Sequence, residues 1–215
     1  MAWLKRNWLV AVSFAAMLTV SIVGWLNLEG PLPVHWGLDG EPTRYGAKLE
    51  ALGILPFLAL VSYVTKVFFL PHGAKNARVL PAIAQVLVLG LTIIHVGTVM
   101  SYLGVDVSLH NVVALGLGII LVGVGNLMPK VAPNPLVGVR LPWLYKSEKA
   151  WYKAQRAGGW LFAISGVLFI LIGLFAKGEA PLMWGVVGLL LGSAGVAAYS
   201  YWVWRNDDDA RTSLE

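Results

Sequence analysis

The chain contains no cysteine, which excludes disulfides, thiolate metal sites and a cysteine nucleophile. Charge is also scarce. Asp, Glu, Lys and Arg make up 13% of the 215 residues, where a soluble domain carries about a quarter. The scarcity is local, because long stretches hold no charged side chain at all. No H-E-x-x-H, G-x-S-x-G or P-loop is present, so the common hydrolytic and phosphoryl-transfer chemistries have no motif to carry them. The net charge of +5 does not point to nucleic acid, because the basic residues sit between apolar runs and no zinc-finger spacing or basic helix accompanies them.

What is present is hydrophobic length, with 58% of the residues apolar. A helix of about 20 residues crosses roughly 30 Å of hydrocarbon. Apolar segments at 7–27, 50–70, 81–103, 109–128, 157–176 and 181–204 meet that length. Residues 1–215 therefore read as one all-α membrane domain, a bundle of six transmembrane helices. The first run follows Lys5 and Arg6 like a signal peptide, but it is long and lacks an A-x-A site, so it reads as a retained span.

Lys and Arg accumulate on cytoplasmic loops. With the N-terminus inside, thirteen of them fall on the inner side and only Arg44, Lys48 and Lys177 on the outer side. Both termini are thus expected in the cytoplasm. Trp3, Trp8, Trp25, Trp36, Trp143, Trp151, Trp202 and Trp204 fall near predicted interfaces, as an aromatic belt would. Close helix packing in lipid needs small residues. Gly185, Gly188, Gly192 and Gly195 in the last span carry the strongest such pattern, and Gly116, Gly118, Gly123 and Gly125 a weaker one.

Few polar residues lie within the spans. Gln85, Thr92, His95, Thr98 and Tyr102 share one arc of the third span, and His95 is its only ionisable group well inside the bilayer. No carboxylate is predicted in the hydrocarbon core, which weighs against a carboxylate-driven ion pump. The outer loop, 28–49, holds three Pro and three Gly between Pro31 and Lys48 and reads as turn-rich and constrained. His35, Asp39 and Glu41, joined by Asp106 and His110 on the same side, are candidate ligands for a divalent cation, although no strict spacing motif is present. The inner loop, 129–156, is proline-broken in its first half. Ser147 is the expected N-cap of a helix that has Glu148 in its first turn and feeds the fifth span. Lys149, Lys153 and Arg156, near Trp151 and Tyr152, suit either anionic lipid or a protein partner.

The inner loop resembles the SdpI family of bacterial membrane proteins in Asn134, Pro135, Gly138, Val139, Arg140, Pro142, Trp143, Ser147, Glu148, Trp151 and Arg156. The outer loop, with Pro33, His35, Gly40, Pro42 and Lys48, is similar to the domain of unknown function that often precedes it. The chain departs from the family pattern at Leu141, where a Thr is usual, and at Ala154 and Gln155, where a Thr-His pair is usual. The resemblance implies six spans and a non-enzymatic immunity role. Such a protein shields a bacterium from a secreted membrane-active peptide and holds a cytoplasmic regulator at the membrane. It implies partner binding by the inner-loop residues, recognition by the outer-loop residues, and no cofactor. A transporter or flippase using Gln85, Thr92 and His95, and a metal-dependent membrane enzyme using the outer His, Asp and Glu residues, stand as alternatives.

Overall fold

The computed structural model describes residues 2–37, 41–68, 75–178 and 180–207. Six long helices carry the fold: α1 (Ala2–Asn27), α2 (Lys48–Phe68), α3 (Val79–Tyr102), α4 (Leu109–Leu127), α5 (Glu148–Phe175) and α6 (Ala180–Arg205). Each contains a stretch long and apolar enough to cross a membrane. Their ends fall within a few residues of the hydropathy segments, except that α5 starts nine residues before its span. Ser147 caps it, accepting a hydrogen bond from the Ala150 amide. At 28 residues, α5 is about 42 Å long. It outreaches the hydrocarbon, and its first turns bury Ala150, Trp151, Ala154 and Gln155.

One element adds to the all-helical expectation. The loop between α1 and α2 folds into an antiparallel hairpin, β1 (Leu32–Trp36) with β2 (Pro42–Gly46). Val34, Trp36, Thr43 and Tyr45 favour extended backbone, and the prolines and glycines that mark the loop as turn-rich lie largely at the strand ends. The hairpin is bound to the end of α3. Tyr102 donates its hydroxyl to the Pro33 carbonyl and stacks on Trp36 with ring centroids 6.5 Å apart. Leu32 packs beneath it against Ala51, Leu52 and Val99.

α1 and α2 each pack on α3, which packs on α4, which packs on α5, which packs on α6. The α4–α5 contact is the most extensive. Glycines set its depth. A Cβ at Gly118 would lie 2.8 Å from the Gly166 carbonyl oxygen, and one at Gly125 would lie 2.7 Å from that of Gly159. Gly90 and Gly116 bring α3 and α4 together in the same way. The last span behaves differently from its sequence pattern. A Cβ at Gly192 would strike Leu161 and one at Gly185 would approach Phe169, but Gly188 and Gly195 have nothing within 4 Å. The deep glycine packing thus belongs to α4, because a helix held between two helices needs small residues on both faces, whereas α6 has α5 as its one main helical contact.

The tryptophans also divide. Trp8, Trp25 and Trp202 are exposed, as a belt residue must be. Trp151 is fully buried in the core with Met128, Val131 and Leu144.

Replacing Gly118 by Leu forces α4 and α5 apart and costs about 1–3 kcal/mol, as overpacking does. Gly188→Leu, with open space around it, leaves the stability in detergent within about 0.5 kcal/mol of wild type. Thermal unfolding followed by circular dichroism compares the two.

Candidate functional site

The loop from α4 to α5 is a folded cap, held by three side-chain amides. An amide carries a donor and an acceptor side by side, so it can pair with a backbone N–H and C=O together. Asn76 does this to Ala132, donating to its carbonyl at 3.0 Å and accepting from its amide at 2.8 Å. Gln155, fully buried on α5, does it to Val139 at 2.9 and 3.0 Å. Asn134 donates to the Ala132 and Val137 carbonyls and accepts from the Leu136 and Val137 amides. Trp151 donates its indole N–H to the Val131 carbonyl at 2.7 Å. Gly138 has φ +106°, and a Cβ there would lie 2.4 Å from Gln155 Oε1. Only glycine meets both demands.

This geometry accounts for most of the inner-loop signature. Arg140 donates to the Pro135 carbonyl at 2.6 Å while staying exposed, and Tyr145 donates to that of Asn134. Pro142 opens a short 3-10 turn that buries Leu144 and aims Trp143 at α6, where its N–H meets Ser200 Oγ at 3.1 Å. Ser147 donates to Asp207, and Lys149 lies 3.4 Å from the same carboxylate. The cap is therefore tied to α6 at two points. Glu148, Lys149, Lys153 and Arg156 stay exposed, as do Lys75, Arg78, Lys130, Lys146 and Arg205. A cavity of about 270 Å³ lies between the Gly138–Leu141 strip, α5 and α6.

Sequence reasoning missed Asn76 and Asp207, and it noted Gln155 only as a departure from pattern. At helical spacing Gln155 shares a face with Trp151, Gly158 and Gly159, and that was the available signal. Asp207 gives none, since its partner lies 60 residues away.

At the opposite end, His35 on β1 and His110 at the start of α4 line one cavity of about 510 Å³, completed by Trp36 and by Leu182, Met183, Val186 and Val187 of α6. His35 Nδ1 lies 2.6 Å from Thr43 Oγ1 across the hairpin. Pro42 pairs with Trp36, and the Gly37 amide reaches the Glu41 carbonyl to close the turn. Gly40 and Asp39 lie outside the described residues. Glu41 and Asp106 are exposed. Among the described residues no three His, Asp or Glu side chains come together as a metal site. Lys48 does not line this cavity; it sits over the Trp25 ring at 5.6 Å.

The polar arc of α3 faces protein. Thr92 and Thr98 donate to the carbonyls of Val88 and Ile94 in their own helix, and Gln85 donates to Asn7 of α1. His95 is 1% exposed and joins three helices. Pro56 in α2 has no N–H, so the Leu52 carbonyl one turn earlier lacks its helical donor. Ser21 of α1 supplies one at 3.0 Å. Its single proton is then committed, so the 2.8 Å contact with His95 is a donation from Nε2–H to Ser21 Oγ. His95 is the third piece of a repair that begins at Pro56.

A six-helix, multi-pass membrane protein with a hairpin at one end and a folded basic cap at the other is thus defined. Residues 130–201 match the SdpI/YfhL protein family, and residues 12–60 match a domain of unknown function, DUF1648. The immunity protein SdpI of Bacillus subtilis (strain 168) is 25% identical over 202 residues, which cover 93% of this chain and 97% of that protein. No solved structure is significantly similar to the chain.

Two outcomes test the cap. Gln155→Glu keeps the acceptor but loses the donor to the Val139 carbonyl, and it destabilises the protein by about 1–3 kcal/mol in thermal melts at neutral pH. The Asp207 carboxyl is held below its ordinary value of 3.8, chiefly by the Ser147 hydroxyl, with Lys149 adding to this and burial opposing it. A depressed carboxylate stabilises the fold above its unfolded pKa and loses that contribution as pH falls. Melting temperature therefore drops as pH falls below 3.8, and Asp207→Asn flattens that part of the profile.

Proposed function

We propose that the chain is a non-enzymatic immunity protein. It intercepts a membrane-active peptide at the hairpin end, outside the cell, and passes the occupied state to the basic cap in the cytoplasm. The observation that carries this reading is the cavity shared by the hairpin, α4 and α6, in which His35 and Trp36 of the recognition loop face Met183 and Val187. The likeness to an immunity protein along nearly the whole chain supports the same reading. The orientation follows from the excess of Lys and Arg at the cap end.

Coupling runs along α6. Only Ser200 and Val203 of this helix are buried, and an element with few buried contacts shifts at low cost. Its first turns line the hairpin-end cavity, while Ser200 binds Trp143, and Asp207, just past its last turn, binds Ser147. A peptide that favours a displaced α6 moves both cap contacts and alters the exposed surface around Arg140, Lys149, Lys153 and Arg156. A cytoplasmic regulator reads that surface. Helix shifts of about 1–2 Å are sufficient for such relays, provided that the peptide binds one state more tightly than the other.

Expression in a peptide-sensitive bacterium raises survival, and Val187→Trp, which fills the cavity, removes the protection while membrane insertion persists. Trp143→Phe keeps protection but weakens recruitment of the regulator. Killing that is unchanged by the wild-type protein sinks the proposal.

A further inference from the structure

α1 and α2 run antiparallel with little contact between them. Between them lies a cleft of about 500 Å³. Its walls are two matching stripes, from Phe14 to Trp25 on α1 and from Leu49 to Leu60 on α2, each recurring every three or four residues. Each stripe spans eleven steps, about 16 Å at helical rise, and half of a roughly 30 Å hydrocarbon core is about 15 Å. The cleft therefore runs from the hairpin-end interface to about the bilayer centre, the depth of one leaflet. Leu18, Phe57 and Trp25 along it are more than half exposed, so it opens sideways to lipid. Its floor carries little polarity, since Ser21 there is engaged with Leu52 and His95.

The mouth of the cleft is charged. Lys48 donates to the Trp25 carbonyl at 3.1 Å and lies over the Trp25 ring. Among the described residues its ammonium has no ion-pair partner, whereas the neighbouring Arg44 is matched by Glu50 at 2.6 Å. A cation above an apolar slot one leaflet deep complements an anionic head on an acyl chain.

We propose that the α1–α2 cleft binds one acyl chain of an anionic phospholipid from the leaflet at the hairpin end, with the phosphate held at Lys48. The site stands apart from the peptide cavity and does not depend on the immunity reading. The chain seals the shallow α1–α2 seam and keeps the Pro56, Ser21 and His95 junction away from membrane defects.

Native mass spectrometry of the purified full chain, with phosphatidylglycerol or phosphatidylcholine of identical acyl chains added, tests the proposal. The wild-type protein retains phosphatidylglycerol about fivefold better, the effect of one cation at a membrane surface, and Lys48→Gln removes that preference. Gly53 lines the cleft, and a Cβ there meets only Leu49 at 3.7 Å. Gly53→Leu therefore fills the slot without a backbone clash and reduces retention of both lipids. Leu18→Trp does the same from the other wall, with circular dichroism confirming helicity for each variant. Equal retention of the two lipids by wild type overturns the proposal, as does retention unchanged in both filled variants. Apolar peptide that displaces the lipid equally well in Lys48→Gln would assign the cleft to peptide and overturn it too.

Discussion

The close approach of α4 to α5 is the contact on which the rest of the molecule depends. In lipid there is no gain from hiding one apolar helix against another, so association rests on dispersion and therefore on distance. Gly118, Gly125, Gly159 and Gly166 bring the two backbones near enough that a Cβ would touch a carbonyl oxygen of the facing helix. That contact positions the α4–α5 cap, because both of its ends are anchored on these helices. It also leaves α6 outermost, packed on α5 alone among its main contacts.

The two ends of the bundle are built on different principles. The cap is held by amide-to-backbone pairs from Asn76, Asn134 and Gln155, which satisfy a proline-broken loop that cannot hydrogen-bond as a helix. The basic residues of this hydrogen-bonded cap stay exposed. The hairpin end rests on one strand pair, the Tyr102 contact and apolar packing around a cavity. An exposed basic surface at one end, a cavity at the other and a sparsely buried helix joining them are the parts the proposed relay uses.

The polar arc of α3 shows how a residue that looks functional can be structural. An intramembrane histidine invites a transport reading. Here Pro56 leaves the Leu52 carbonyl unpaired, Ser21 donates to it, and His95 donates in turn to Ser21. Each of these residues is visible in the sequence, but only the crossing of α1, α2 and α3 makes them neighbours. Trp151 teaches the same lesson. Its position beside Lys149 and Lys153 suits an interface, yet the cap folds over it and buries it.

The sequence by itself determined the six spans, their approximate ends, the Ser147 cap and the uneven placement of Lys and Arg. These follow from length, hydropathy and local hydrogen bonding, which act within one segment at a time. It also marked the inner loop as patterned, and most of the residues so marked hold the cap. Tertiary structure decided which glycines pack, since Gly188 and Gly118 sit in similar runs and differ only in what faces them. It decided that Gln155, Asn76 and Asp207 matter, because their partners lie 16, 56 and 60 residues away. It also brought His35 and His110 to one cavity. Periodicity can indicate which face of a helix is apolar, but pairings across the bundle depend on which helices become neighbours, and that is settled only when the chain packs.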